Sequence, residues 1–587
     1  MSVIQRIKTY FKTLAKFIGP GFMIAVGYLD PGNWATDMEG GSSFGYRLLF
    51  IILLSNLIAV FLQNLTIRLG TISGLDLASA SKKYFPRWLN LFLYVLAEIA
   101  IIATDIAEVI GSAIALNLLF PSLPLPAGVA ITAVDVFIIL LFYTEEADDP
   151  DSPDSGSASL KMVRFFEMFV MMLVAAVGIC FIIELAYSDI VAVDVFKGFL
   201  PTKEIFTQPE ILYVAIGIIG ATVMPHNLYL HSFIVQARCR EWRHKRPRVV
   251  QVDDTWLIKS NPLEDQPISS SASVLEKSHT SVTVDQDNTT TRGIDFEKLK
   301  EYLDISLHKN LHYGFIDLIV ALTFAFFVNC AILIVASANF YYGPDSQQQQ
   351  VQDLFSAHAL LMQYLGPPAA VVFALALLCA GQSSTLTATL AGQVIMSGFL
   401  GMTTKPWVRR VITRSIAIIP AMVAAIVAGR EGLSSMLVGS QVALSIQLPF
   451  AVVPLIYFTA TKSTMKLELV VQAKSLHDDP IHGATEQNQM SFIDRTLARF
   501  QFAKTSSDWF KFPQFSKMDK TKNDTKVELN EEKAASISSP KVYKEMDSWP
   551  MPLTYANNLF SNVLAIAIAS LLIGLNGYLV VSLFLQI

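Results

Sequence analysis

The residues Gly27-Tyr28-Leu29-Asp30-Pro31-Gly32-Asn33-Trp34 interrupt an apolar segment that runs from about Leu14 to Ala35, long enough to cross a bilayer. An aspartate in the middle of a membrane helix costs roughly 2.5–3.5 kcal/mol on insertion scales. Pro31 removes a backbone donor, and Gly32 weakens the helix further. Such a break is tolerated only where it is buried in protein or lines a wet cavity. A kinked helix whose Asp30 is paired structurally is one reading. The clustering of Asp, Pro, Gly and Asn favours the other, a broken helix with an ion site near the membrane midplane.

Composition places the whole chain in the same setting. Its 587 residues are 52% hydrophobic and 16% charged, with mean hydropathy +0.46. A soluble domain needs a far more charged surface, so a polytopic membrane protein is expected. The net charge of −5 says little, because the charges concentrate in loops. Cys180, Cys239, Cys330 and Cys379 show no CxxC spacing, so neither a disulfide framework nor a zinc cluster is expected. No enzyme activity and no nucleic-acid partner is expected. The partner the composition does imply is the lipid bilayer.

Apolar segments fall near residues 14–36, 45–68, 90–119, 126–143, 162–186 and 211–237, and resume near 311–341, 367–400, 411–429, 434–460 and 556–586. By the ~20-residue criterion these make about eleven transmembrane helices in an all-α fold. Lys and Arg gather on one side, from Arg6, Lys8, Lys12 and Lys16 through Arg238 to Arg248 and on to Lys462 and Lys466. The positive-inside rule then makes the N-terminus cytosolic. In domain terms, 1–13 is a cytosolic N-terminus, 14–237 holds spans 1–6, 311–461 holds spans 7–10, and 556–587 holds span 11. Segments 238–310 and 462–555 are polar, cytosolic and largely disordered in composition. They are also where regulatory partners would bind. Glu297 to Lys309 has helical spacing leading toward the seventh span.

A second proline interrupts the sixth span, in Gly220-Ala221-Thr222-Val223-Met224-Pro225-His226-Asn227. Five spans separate the two breaks, so each half of a 5+5 arrangement opens with a broken helix, and an odd repeat length inverts one half. Interrupted segments at corresponding positions point to a transporter's binding site. One break offers the carboxylate of Asp30 and the amide oxygen of Asn33. The other offers the Met224 thioether and the Ala221 carbonyl, which Pro225 leaves without its helical partner. Oxygen donors with one soft sulfur suit a divalent transition metal better than Ca²⁺ or Mg²⁺. The pair His226 and His231 lacks HExxH spacing, which disfavours a zinc hydrolase.

The chain resembles the Nramp family of proton-coupled divalent-metal transporters, and within it the fungal Smf-type manganese carriers. The matching motifs are Asp30-Pro31-Gly32-Asn33, Ala103-Thr104-Asp105 with Glu108 and Gly111, and Met224-Pro225-His226-Asn227 with His231. They continue with Gly381-Gln382-Ser383-Ser384-Thr385 and Gln447-Leu448-Pro449-Phe450. The resemblance implies a LeuT-like 5+5 inverted repeat with helices 1 and 6 broken. It implies symport of metal and protons into the cytosol by alternating access. Metal ligation by Asp30, Asn33, Ala221 and Met224 is implied, with Gln441 joining in an occluded state. The cargo would be Mn²⁺ or Fe²⁺, with Cd²⁺ and Co²⁺ also carried, and no resident cofactor. Ser397 departs from the glutamate that many relatives carry there, and the loop between spans 4 and 5 is acidic and expanded. The expected location is the plasma membrane or an endosomal or vacuolar membrane.

Glu98, Asp105 and Glu108 recur at intervals of seven and three, on one face of the third span. Three acids on one stripe cannot face lipid, so they should face the bundle interior. They are read as a proton path that Arg410 and Arg414 of the ninth span join, with a purely structural ion-pair network to the same two arginines as the alternative. His226 is a plausible proton relay because of its titration range. Asn227 and Asn329 are read as interhelical hydrogen-bonding residues. Two rival functions are a non-transporting metal sensor on the same fold and an amino-acid/cation symporter. In the latter, Asp30 would repel the substrate carboxylate.

Overall fold

The computed structural model describes residues 20–132, 190–238, 296–342, 353–401, 406–467 and 554–585, short strands at 248–252, 257–259, 282–283, 292–294, 469–473 and 542–544, and isolated positions between. Contacts divide the chain into a helical unit (Met1–Arg248, Phe296–Leu469 and Trp549–Ile587) and a second unit (Val249–Asp295 and Val470–Ser548).

The helical unit begins with α1 (Pro20–Gly27) and α2 (Pro31–Phe44), two halves of the first span separated by Tyr28, Leu29 and Asp30. Then come α3 (Leu49–Arg68), α4 (Leu77–Tyr84) and α5 (Arg87–Leu119). Short helices α6 (Ala192–Gly198) and α7 (Lys203–Thr207) precede the second broken span, α8 (Pro209–Val223) and α9 (Pro225–Ile234). The rest is α10 (Phe296–Ala336), α11 (Leu354–Leu365), α12 (Pro367–Leu400), α13 (Pro406–Val427), α14 (Gly429–Ala460) and α15 (Leu559–Leu585).

The starts of these helices follow from their residues. Proline stands in the first turn of α2, α8, α9 and α12, where its missing N–H costs nothing. Asp76 caps α4 by accepting from the Ser79 amide at 2.8 Å, and Asp353 caps α11 by accepting from the Ser356 amide at 3.0 Å.

Among the described residues, seven helical stretches are long and apolar enough to cross a membrane. Every expected span that falls on described residues is helical. The span expected at 126–143 is described only as far as 132, and the one at 162–186 only at isolated positions; both otherwise lie outside the described residues. The seventh span starts earlier than its apolar run, because α10 takes in Glu297 to Lys309 as one continuous helix. The helix α11 was not expected: at 12 residues it is too short to span.

The last helix, α15, shows how the outside of the unit meets lipid. Leu559, Phe560, Val563 and Ile566 are exposed, and apolar side chains on a membrane helix need no water-free protein partner. Its inner face packs Leu579 against Leu212, Ile216 and Val442. The segment leading into α15 is strapped to the helical unit. The Tyr555 amide donates to the Met465 carbonyl at 2.9 Å, and the Asn557 amide donates to the Thr459 carbonyl at 3.0 Å. Arg68 donates to the Tyr555 carbonyl and to Asn557 Oδ1 at 3.1 and 3.0 Å. The Tyr555 hydroxyl donates to Asp304.

In the second unit, strands β1 (Arg248–Val252), β5 (Leu469–Ala473) and β6 (Val542–Lys544) form one sheet in the order β1-β5-β6. Strands β2 (Leu257–Lys259), β3 (Val282–Thr283) and β4 (Arg292–Ile294) form another, in the order β2-β4-β3. Strands β2 and β3 pair antiparallel with β4, with Ile258 opposite Gly293, and β5 pairs antiparallel with β6. Reading 238–310 and 462–555 as largely disordered did not anticipate these strands. Their short β-branched runs, such as Val249-Val250, are diluted in Ser/Thr-rich sequence.

Candidate functional site

The two breaks meet. Asp30 is the N-cap of α2, with φ −75° and ψ 167°, and its Oδ1 accepts from the Asn33 amide at 2.8 Å. The Asn33 side chain donates twice, to Asp30 Oδ1 at 2.7 Å and to the Ala221 carbonyl at 3.0 Å. That carbonyl is available because the residue four positions on is Pro225, which has no N–H to give it. Asp30, Asn33, Ala221 and Met224 are all at most 1% exposed.

Across the same point, the helix halves run in opposite senses. Asn33, after the first break, touches Ala221, before the second. Gly27, before the first break, lies against Asn227, after the second: a Cβ on Gly27 would come 2.8 Å from Asn227 Nδ2. This antiparallel crossing is what two inverted halves require.

Met224 is the hinge of the second break, serving as C-cap of α8 and N-cap of α9. At φ 40° it is the one non-glycine residue with positive φ among the described residues. A side chain held there costs on the order of 1–3 kcal/mol and persists only where its surroundings impose it. The geometry turns the chain so that Met224 Sδ accepts from Asn227 Nδ2 at 3.4 Å. Asn227, read from sequence as an interhelical hydrogen-bonding residue, instead supports the sulfur and packs on the first break.

Gln441 of α14 completes the group. A Cβ on Gly32 would lie 2.2 Å from Gln441 Nε2 and 3.0 Å from its Oε1, so the amide rests directly on the first turn of α2. Gln441 Oε1 and Asp30 Oδ2 are buried without a hydrogen-bond partner among the described residues. Buried oxygens left open in this way need an explanation, and with a carbonyl that the Asn33 amide serves they make a cradle that could hold a cation. Among the described residues there is no group of three or more His, Cys, Asp or Glu side chains placed to hold a metal. This cradle instead relies on one carboxylate, amides, a carbonyl and a thioether.

Close approach of α8 and α14 holds the cradle shut. A Cβ on Gly220 would stand 2.1 Å from the Gln441 carbonyl oxygen and 2.7 Å from the Ser445 amide nitrogen, and backbone atoms cannot yield as a side chain can. Gly220→Val should therefore wedge the helices apart at a cost of ~1–3 kcal/mol. We expect membrane-inserted protein with a lowered melting temperature and cation binding weakened at least several-fold, read by calorimetry. Unchanged binding would mean that this contact does not set the cradle.

The acids of the third span take different places. Asp105 and Glu108 are fully buried. Glu108 Oε2 accepts from Thr385 of α12 at 2.7 Å, and Glu108 is within electrostatic reach of Asp30. His226 Nδ1 lies 3.2 Å from Thr104 Oγ1, and Asp105 is within electrostatic reach of His226. Glu98 is only half-buried, two turns back along α5. Arg410 and Arg414 lie on α13, but their side chains fall outside the described residues. Thr385 and Thr104 were missed as partners. Both stand in the motifs quoted above, but their pairing depends on how α5 packs against α9 and α12. The second histidine, His231, belongs to a separate buried network: its Nδ1 lies 2.7 Å from Gln63 Oε1, and Gln63 Nε2 donates to the Tyr28 hydroxyl at 3.2 Å.

Comparison with known proteins adds four findings. The profile of the Nramp family, described as natural resistance-associated macrophage protein-like, matches residues 21–149, 155–261 and 274–472. The manganese transporter SMF1 of Saccharomyces cerevisiae is 44% identical over 472 residues, 80% of this chain and 75% of that protein. The divalent metal cation transporter MntH of Brucella suis is 42% identical over 463 residues, 79% of this chain and 84% of that protein. Among solved structures, a mutant of the manganese transporter of Eremococcus coleocola superposes with a TM-score of 0.57 at 27% identity. That match covers 97% of this chain and 95% of the other.

Proposed function

Because the chain belongs to the Nramp family, we propose that it carries divalent transition-metal ions across a membrane, Mn²⁺ and Fe²⁺ foremost and Cd²⁺ and Co²⁺ as well, into the cytosol together with protons. The observation that carries this reading is the meeting of Asp30, Asn33 and the Ala221 carbonyl at one buried point between two broken helices, with buried Met224 at the second break itself. Relatives named as manganese or divalent-metal transporters support it.

The chemistry follows from the cradle. The Asn33 NH₂ group holds together two oxygens, Asp30 Oδ1 and the Ala221 carbonyl, that would otherwise repel each other. A dication does the same task with more charge. It replaces both hydrogen bonds, and a half-turn of the amide presents Asn33 Oδ1 as a further ligand. Gln441 Oε1, on the amide that already rests against the first turn of α2, would close the shell. One formal negative charge, uncharged oxygens and one sulfur favour a borderline divalent ion.

Protons would enter the same account through Asp30. A buried carboxylate takes a proton or a dication in preference to standing charged alone, so arrival of metal displaces the proton. Glu108 lies within electrostatic reach of Asp30, and His226 with Asp105 forms a second route. Alternating access would pivot on the two breaks, where Tyr28 to Asp30 and Met224 interrupt the helices. A metal sensor built on the same fold is the runner-up; it would bind cations without net flux.

Purified protein in sealed liposomes, with Mn²⁺, Fe²⁺, Cd²⁺ and Ca²⁺ compared at a set pH gradient, decides between them. Uptake of the transition ions that rises with inward proton force is expected, and binding without uptake would leave the sensor. In the same assay Glu108→Gln should keep metal binding while proton flux falls roughly a hundredfold, the usual scale for removing a positioned proton-transfer group. Loss of metal binding with intact proton flux would reverse the assigned roles.

A further inference from the structure

A second acid of the first span has no part in this account. Asp37 is 1% exposed, and its Oδ2 has no hydrogen-bond partner among the described residues. It lies seven residues beyond Asp30, so the two share a face of α2 about 10 Å apart along the axis. A buried, open carboxylate oxygen on a helix that leads away from the Asp30 cradle calls for a partner.

The packing of α2 against α10 shows what stands opposite. The two run side by side in the same direction. The Asn329 side chain of α10 donates to the Tyr28 carbonyl at 3.4 Å, at the break. Further on, a Cβ at Gly41 would be 2.4 Å from the Leu333 carbonyl oxygen and 2.8 Å from the Ala336 side chain. One turn before Gly41 on α2 is Asp37. One turn before Leu333 on α10 are Asn329 and Cys330. Cys330 is buried, a free thiol, and within electrostatic reach of Asp37. Asn329 Oδ1 is likewise buried with no hydrogen-bond partner among the described residues.

We propose that Asp37, Cys330 and the Asn329 amide oxygen form a second stopping point for the divalent cation, reached along α2 beyond the Asp30 cradle. The proposal rests on the transport reading of that cradle. Its donors are one carboxylate, one thiol and one amide oxygen, a set that accepts borderline and soft divalent ions. With three donors against the five of the Asp30 cradle the site is the weaker of the two, as a site on a path must be if ions are to leave it. Two dications this close repel each other, so an ion arriving at Asp37 would favour departure of one at Asp30.

Cadmium is the probe, because a thiolate bound to Cd²⁺ gives an ultraviolet charge-transfer band that carboxylates and thioethers do not. The full chain in detergent is titrated with Cd²⁺ and followed by absorbance and calorimetry. We expect the band in the wild type and in Asp30→Asn, and its loss in Cys330→Ser and Cys330→Ala. Asp37→Asn should weaken the Cd²⁺ affinity read from the band about tenfold, and raise the KM for Mn²⁺ uptake by a similar factor. Calorimetric binding at the Asp30 cradle, retained in the Cys330 and Asp37 variants, shows that they have folded. Absence of the band from the wild type, its survival in both Cys330 variants, or an unchanged affinity in Asp37→Asn would overturn the second site. Failure of the transport reading is seen elsewhere, as absence of Mn²⁺ uptake by the wild type.

Discussion

Asp30→Asn should abolish metal uptake while leaving the protein inserted and folded. The substitution keeps size and shape, and a neutral amide at position 30 can still cap α2 through its oxygen, the role that Oδ1 plays toward the Asn33 amide. What disappears is the one formal charge in the cradle. A dication drawn from water into a buried site must recover its hydration from the ligands, and uncharged oxygens alone recover too little of it. Removing the charged partner from a buried pairing costs ~3–5 kcal/mol, which is more than a hundredfold in affinity at about 1.4 kcal/mol per decade. The same variant also loses the proton that the metal would displace, so the pH dependence of whatever flux remains should be weakened. Liposome uptake of Mn²⁺ at two pH values, with calorimetry on the purified variant, measures both effects. Near-normal uptake would place the metal elsewhere.

How much of this was legible before the fold was known depends on what each residue costs where it stands. Asp30, Pro31 and Gly32 announce themselves, because a membrane helix tolerates none of them without compensation. The Ala221 carbonyl can be found from Pro225 alone, since the proline deletes the N–H four residues on. Met224 could be named as a donor, but its backbone at φ 40° could not, because a methionine between valine and proline carries no preference for that conformation. Gln441 was reached only through the family resemblance. No break marks it, and its position depends on Gly32 and Gly220 letting α14 approach both breaks.

Pairings between spans were the least readable part. Periodicity placed Asp105 and Glu108 on one buried stripe, and both are fully buried. The same periodicity put Glu98 with them, although it is half-buried, because a face defined by sequence spacing says nothing of where along the helix neighbours stop. Thr385 reaches Glu108 across 277 positions of sequence, a contact that composition and spacing cannot supply. The strands of the second unit were hidden for the opposite reason. Runs as short as Val282–Thr283 lie below the length at which alternation can be told from chance.

Met224→Ala should change which ions the cradle accepts more than how well it binds manganese. The thioether is uncharged and polarizable, so it adds little for a hard cation and displaces a water that Ca²⁺ or Mg²⁺ gives up reluctantly. For Mn²⁺ it is tolerable and for Cd²⁺ it is attractive, so the sulfur discriminates against the abundant hard ions. The residue is fully buried and its Sδ accepts from Asn227 Nδ2 at 3.4 Å, so truncation leaves a polar gap lined by that amide. A gap with such a partner is one a water can fill, turning the shell into oxygens alone. Alanine inherits the φ of 40° and its strain, so the hinge is not relaxed and the effect is read at the ligand. We expect appreciable Mn²⁺ uptake, a Cd²⁺ preference reduced about tenfold, or ~1.4 kcal/mol, and inhibition or permeation by Ca²⁺ that the wild type resists. Uptake of Mn²⁺ and Cd²⁺ by both proteins across a Ca²⁺ series provides the measurement. Unchanged selectivity ratios would make Met224 a packing residue and remove the sulfur from the ligand set.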